Sequence, residues 1–256
     1  NSNGNQQVHA FFYPPTNARY QGMDNELPLV IALCHGGPTG ATDSGLNLKI
    51  QYWTNRGFAV VDINYRGSTG FGRTYRQGLA GTWGIADVED TQNAIAYLAE
   101  QNKIDPERCL IRGGSAGGYT VLSALTFTDT FKAGASLYGI GDLETLATDT
   151  HKFESRYMDS LIGPYPERRD IYLERSPVHH AEGLNCPVIF LQGLEDKVVP
   201  PNQAEMMVKL LQDKGIKVAH VTFPDEGHGF RKAKNIIKAM ESELQFYQEV
   251  FNLEAN

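Results

Sequence analysis

The chain has 256 residues, 41% hydrophobic, 21% charged and 10% aromatic, values of an ordinary globular protein that exclude disorder and collagen-like repeats. Its formal net charge is −7 and it holds no basic cluster, so a nucleic-acid partner gripped through phosphates is excluded. No apolar run reaches the roughly 18 residues of a membrane span, so no membrane partner is expected.

The opening residues Asn1–Gln7 are polar and match neither a signal peptide nor a transit segment. The chain starts without Met, which a processed precursor or an excised fragment would both explain. Three cysteines, Cys34, Cys109 and Cys186, sit in or beside apolar runs without CxxC spacing. They read as small buried thiols rather than zinc ligands, so no metal is expected. They fit a reducing compartment, here taken as cytoplasmic.

Along the chain, strands are predicted at Val8–Tyr13, Leu29–Cys34, Phe58–Ile63, Arg108–Arg112, Ala133–Tyr138, Val188–Gln192 and Val218–Phe223. Several are continuously apolar, as in a sheet covered on both faces. Apolar residues at three- and four-residue steps predict helices over Ala86–Gln101, Gln203–Lys214 and Lys234–Phe251. Alternating strands and helices imply an α/β class with a mostly parallel central sheet, about eight strands, and helices on both faces. Gly141–Glu182 is polar, aromatic and interrupted by proline; it reads as a helical insertion over one edge of the site, a plain structural excursion being the alternative. No repeat, low-complexity tract or Gly/Ser linker divides residues 1–256, which read as a single domain.

The chemistry centres on Gly113-Gly114-Ser115-Ala116-Gly117-Gly118. A strand precedes it and the helical pattern Tyr119–Leu125 follows. This is the strand–turn–helix context of Gly-x-Ser-x-Gly, in which a sharp turn projects the serine from the sheet of an α/β-hydrolase fold. A phosphate loop would need a following Lys, which is absent. Glycines on both sides remove side chains where strand and helix meet.

A serine hydroxyl needs a base and a group to orient that base. In this fold the order is Ser, acid, His. Of seven histidines, five follow Ser115: His151, His179, His180, His220 and His228. His228 lies in a Gly-flanked loop between the last strand and the last helix, so it is the base. His220 falls inside the strand pattern and reads as structural. His179 and His180 start a short helix after Pro177 and read as solvent-facing or lid residues. Asp196 follows the strand Val188–Gln192 and is the acid, with Glu195 its rival. For the oxyanion, the Ala116 N–H is one donor. Gly37, in His35-Gly36-Gly37-Pro38, is the second, with Gly36 the alternative. His35 reads as fixing that loop rather than moving protons.

These motifs, with Asn64-Tyr65-Arg66-Gly67-Ser68-Thr69-Gly70-Phe71-Gly72, Leu194-Glu195-Asp196 and Asp225-Glu226-Gly227-His228-Gly229, resemble the catalytic domain of the prolyl oligopeptidase family. The likeness is nearest its acylaminoacyl-peptidase and dipeptidyl-peptidase branch and runs from about Gln7 to Phe251. The resemblance implies a serine peptidase acting on short peptides or acylated amino acids, with Ser115 as nucleophile, His228 as base and Asp196 orienting it. It implies a structural Arg66, and it implies no cofactor. Tyr65, Tyr138 and Tyr157 are the candidate substrate-lining residues.

Two features depart from the family pattern. Relatives usually carry an N-terminal β-propeller, and no blade-like repeat is present; either the propeller has been removed and the chain is the C-terminal part of a longer protein, or it never existed. Many relatives also have Arg two residues after the acid, where this chain has Val198. A carboxylesterase with the same triad is the alternative activity, and a non-enzymatic binding module the third reading. Besides the peptide substrate, the partner arrangements kept open are a homo-oligomer and a propeller domain in the parent chain.

Overall fold

The computed structural model describes residues 2, 6–23, 25–149 and 157–253. The strands are β1 His9–Tyr13, β2 Val30–Cys34, β3 Ala59–Asn64, β4 Cys109–Gly114, β5 Ala133–Leu137, β6 Val188–Gly193 and β7 Val218–Phe223. All seven predicted strands are found, each within two residues at either end. The helices are α1 Leu48–Thr54, α2 Arg73–Gln77, α3 Ala86–Glu100, α4 Ala116–Phe127, α5 Leu143–Asp149, α6 Tyr157–Leu161, α7 Arg169–Glu174, α8 Asn202–Asp213 and α9 Ala233–Phe251, with a 3-10 turn at Pro177–His180. The three helices predicted from periodicity are α3, α8 and α9, and the helical pattern Tyr119–Leu125 falls in α4. Elements as short as α1 and α2 leave too few turns for a helical period to register.

The strands form one sheet in the order β1-β3-β2-β4-β5-β6-β7. Among the described strands only β1 is antiparallel, paired with β3. The other five pairings are parallel. Among the described residues the sheet has seven strands, against an expectation of about eight. Each apolar run yields one strand, and among the described residues no strand pairs with the outer edge of β1.

Side chains alternate between the two faces of each strand. One set, including Val30, Ala32, Val61, Ile63 and Ile111, packs with Val88 and Ile95 of α3, Leu122 and Leu125 of α4, and Met207 and Leu211 of α8. The other, including Ile31, Val60, Leu110, Ile189 and Leu191, packs with Ile50 and Trp53 of α1 and Met240, Phe246 and Tyr247 of α9. Both faces are covered, which is why β3, β5 and β6 are buried at every position.

Gly141–Glu182 is helical in its described parts, carrying α5, α6, α7 and the 3-10 turn. His151 lies outside the described residues. The segment is tied to the loop before α3 by backbone bonds from Gly81 N to Ser160 O (3.0 Å) and Trp83 N to Leu161 O (3.3 Å).

Because β2 leads to β3 on one side and β4 neighbours β2 on the other, the chain reverses its direction of travel between β2 and β4. Loops diverge there at the carboxyl ends of the strands and leave a crevice, the usual place for a site in an open α/β sheet.

Beneath that crevice, α3 and α4 meet at Asp87. Its carboxylate accepts from Gly84 N (2.6 Å) and from Thr120 Oγ1 (2.5 Å). Burial pushes the Asp87 carboxyl up to about 6, against the pull of those two donors. A carboxyl that holds its proton more tightly when folded makes the folded state lose stability as pH rises from its unfolded value to its folded one. The shift corresponds to about 3 kcal/mol. In Asp87→Asn the amide oxygen can still accept from Gly84, and Thr120 Oγ1 keeps the Ala116 carbonyl 3.3 Å away as acceptor. We therefore expect Asp87→Asn to gain stability relative to wild type between pH 4.5 and pH 7.5, measured by urea denaturation. A difference that stays constant across that range would contradict this.

Candidate active site

The site is built on three strand ends. Ser115 follows β4, Asp196 lies three residues past β6, and His228 lies in the loop after β7. Because β4 to β7 are parallel, these ends share one edge of the sheet.

Ser115 joins β4 to α4 with φ +57° and ψ −123°. A serine with positive φ costs about 1–3 kcal/mol unless its surroundings enforce it. Here they do. Ser115 N donates to Leu137 O (3.0 Å), and Tyr119 N donates to Ser115 O (3.1 Å), so the residue closes both strand and helix. The helix crosses the sheet at backbone contact. A Cβ on Gly117 would lie 2.1 Å from the Cys34 carbonyl oxygen, one on Gly113 2.3 Å from the Gly117 oxygen, and one on Gly118 2.6 Å from the Gly139 Cα.

The three predicted polar residues come together as a chain of hydrogen bonds. Ser115 Oγ is 2.9 Å from His228 Nε2, and His228 Nδ1 is 2.8 Å from Asp196 Oδ2. A carboxylate only accepts, so Nδ1 carries the proton and Nε2 is free to accept from the serine. The other Asp196 oxygen accepts from Val198 N and Val199 N, each at 2.9 Å. Asp196 is buried whereas its rival Glu195 is exposed, which decides between them. Val198 thus contributes its backbone to the acid, and its side chain stands partly exposed.

The acid and base loops are docked on each other. Glu195 N donates to Glu226 O (2.9 Å), and Leu194 N to Phe223 O (3.0 Å). Gly193 faces the Glu226 and Gly227 carbonyls so closely that a Cβ would lie 2.5 and 2.4 Å from them. Gln192, wholly buried, donates through Nε2 to Gly193 O (3.1 Å), Val199 O (3.2 Å) and more distantly Asp196 Oδ2 (3.4 Å).

Gly36 and Gly37 pass over the elbow. A Cβ on Gly36 would lie 3.1 Å from Gly114 O and 3.5 Å from the Ser115 Cβ. Ala116 opens α4, so its N–H has no partner within the helix. The loop after β2 is held from below by the Asn64–Thr69 run. Thr42 N donates to Asn64 Oδ1 (2.8 Å), and Asn64 Nδ2 returns a bond to Thr42 O (3.1 Å). Thr69 N donates to Gly40 O (2.9 Å). Tyr65 Oη donates to His35 O (2.9 Å), and its ring stacks on the His35 ring at 4.3 Å. Ser68 Oγ lies 2.7 Å from His35 Nε2, while His35 Nδ1 lies 2.9 Å from Gly36 O. Burial pulls the His35 ring below its ordinary value and keeps it neutral. His35 therefore fixes the loop, as its sequence position suggested. Arg66 pairs with Asp90 (2.8 Å) and Glu89 (2.9 Å) on α3, a structural anchor for the same run.

Of the candidate substrate-lining tyrosines, Tyr65 is corrected. It is fully buried under His35, and a side chain without exposure cannot line a binding site. Tyr138 is half-buried, with its ring edge-on to His228 at 4.9 Å. Tyr157, at the start of α6, lies with its hydroxyl 2.9 Å from Thr39 Oγ1, so the helical segment reaches the Gly36–Gly37 loop. His220 stays within β7. His179 and His180 end the 3-10 turn, with the His180 ring against Phe127 at 5.2 Å. Asn64 and Ser68 were not singled out as individuals. Their signal was the run that contains them, whose support of the loop only the fold reveals.

The chain is similar to known proteins over most of its length. The profile of the prolyl oligopeptidase family matches residues 44–254. Dipeptidyl aminopeptidase BIII of Pseudoxanthomonas mexicana is 35% identical over 218 residues, covering 83% of this chain and 32% of the relative. The acylamino-acid-releasing enzyme of Arabidopsis thaliana is 28% identical over 232 residues, covering 86% of this chain and 30% of the relative. The solved structure of a Mycobacterium tuberculosis puromycin-hydrolyzing peptidase superposes with a TM-score of 0.95 at 48% identity, covering 96% of this chain and 38% of that one. The chain spans about a third of the length of the curated relatives it matches. With the family profile extending from before α1 to the end of α9 over an α/β-hydrolase-like framework, the chain belongs to the prolyl oligopeptidase family.

Proposed function

We propose that this chain is the catalytic part of a serine peptidase that hydrolyses short peptides or acylated amino acids through an acyl-enzyme on Ser115. The observation that carries the reading is the unbroken relay from Ser115 Oγ through His228 to the buried Asp196. His228 Nε2 takes the hydroxyl proton as Ser115 attacks the substrate carbonyl. The Ala116 and Gly37 N–H groups receive the oxyanion. His228 then returns the proton to the leaving amine, and water repeats the sequence to release the acid. Asp196 holds the Nδ1–H tautomer and stabilises the imidazolium.

The peptide class draws support from family membership and from relatives named for dipeptidyl aminopeptidase, acylamino-acid-releasing and puromycin-hydrolyzing activities. Those relatives are longer, which supports a further domain in the parent chain, and a β-propeller is our assignment for it. Tyr138 and Tyr157 are our candidates for the substrate side. Cys34, Cys109 and Cys186 are free thiols, compatible with the cytoplasmic setting we assign. A carboxylesterase would share every step except the leaving group.

A panel of peptide anilides, acylated amino acids and esters of increasing chain length tests the substrate class. Turnover of the first two above long-chain esters is expected, and turnover of esters alone would favour the carboxylesterase. In Asp196→Asn, kcat should fall by about four orders of magnitude in steady-state assays because the imidazole loses its tautomer. Ser68→Ala should lower kcat roughly 10-fold with little change in KM, less than the loss of a direct oxyanion donor. An unchanged kcat would remove Ser68 from the support of that loop.

A further inference from the structure

Glu226 stands two residues before His228, and the reaction sequence above does not use its carboxylate. It is a buried acid, 3% exposed, in a loop that otherwise carries the surface groups Asp225, Arg231 and Lys232. Its bonds explain the burial. Glu226 Oε2 accepts from Arg231 N (3.1 Å), and Oε1 accepts from Lys232 N (2.9 Å) and Asn235 Nδ2 (2.8 Å). The side chain therefore reaches across its own loop and closes residues 226–232 into a ring whose far side is the entrance to α9. Lys232, the cap residue of α9, offers that helix no side-chain cap bond. The Asn235 amide, with the two backbone donors, holds the Glu226 carboxyl below the usual carboxylate range, so it remains an acceptor at neutral pH.

His228 lies inside this ring with a glycine on each side. Gly229 has φ +92°, and Gly227 and Gly229 face each other as an isolated antiparallel bridge. Two glycines allow the tight reversal that aims the imidazole at Ser115. They also leave the backbone free to leave that arrangement, since neither has a side chain to pack. The Glu226 carbonyl is bound separately by Glu195 N, on the acid loop. Glu226 is thus joined through its backbone to the loop that carries Asp196 and through its side chain to the helix behind His228.

We propose that Glu226 is the positioning residue for His228, closing the loop so that the imidazole stays within reach of both Ser115 and Asp196. The proposal rests on the reading of His228 as the base. Asp225 has a different part: it accepts from Lys232 Nζ (2.8 Å), from Lys234 Nζ (3.0 Å) and from Asn235 Nδ2 (2.9 Å) at the surface. Small displacements of a catalytic group are costly, since about 1 Å can reduce the rate roughly 100-fold.

Glu226→Gln keeps the size of the side chain but sets an NH2 against an N–H donor at one of its two oxygen positions. Two measurements on this variant, with one control variant, separate the outcomes. The rate of Ser115 phosphonylation by a fluorophosphonate should fall roughly 10- to 100-fold with the reagent's half-saturation unchanged. The downfield proton resonance of the His228–Asp196 hydrogen bond should broaden or disappear. Tyr247→Phe, which removes the bond from Tyr247 Oη to Glu243 (2.9 Å) on the same helix, controls for stability and should keep both the rate and the resonance. A wild-type rate with an intact resonance in Glu226→Gln overturns the proposal. So does an equal slowing in Tyr247→Phe at matched thermal stability. Failure of the wild-type protein to react with the fluorophosphonate would instead count against the functional reading, while the resonance still reports on Glu226.

Discussion

The close crossing of α4 over the ends of β2 and β4 is the constraint on which the site depends. At Gly117 the helix backbone passes so near the Cys34 carbonyl that no side chain fits, and Gly113 and Gly118 mark the same contact on the neighbouring segments. The crossing leaves no room for a gradual turn between strand and helix. Ser115 takes the strain as a positive φ and points out of the sheet. The same event leaves the N–H of Ala116 without a partner inside the helix, because Ala116 opens it. A nucleophile and an oxyanion donor therefore arise together from one packing requirement.

The remaining groups are brought to Ser115 by the parallel sheet rather than by proximity in the chain. Asp196 and His228 lie 32 residues apart in sequence, yet both stand on the carboxyl ends of adjacent strands. Short-range bonds then set their loops. Asp196 folds its own loop through Val198 N and Val199 N, and Gln192 braces it from the strand below. On the other side of the crevice, the loop carrying Gly36 and Gly37 rests on Asn64, Tyr65, Ser68 and Thr69. The molecule thus has one rigid elbow and two supported loops facing it.

The parts of this arrangement visible in the sequence were those with a strict local cause. The elbow glycines, the strand before them and the helix after them announce the crossing. Asp196 and His228 were legible because each follows a strong strand pattern in the order that the fold requires. Tyr65 was misassigned to the substrate side, because an aromatic next to a glycine-rich loop looks the same whether it faces solvent or supports the loop from within. Its place under His35 is set by the register of β3 against β2, which only the assembled sheet supplies. The short helices α1 and α2 were missed for want of turns, and α5, α6 and α7 were foreseen only as one undivided helical insertion. The expected count of about eight strands exceeded the seven apolar runs identified, and those seven runs made the seven strands among the described residues.

The central claim is that Ser115 is a nucleophile activated by His228. The most direct test is to react the protein with a fluorophosphonate and locate the adduct by peptide mass mapping. A single stoichiometric adduct is expected on Ser115, with no adduct in Ser115→Ala and strongly slowed adduct formation in His228→Ala. Labelling that persists in Ser115→Ala, or that proceeds at the wild-type rate without His228, would contradict that claim.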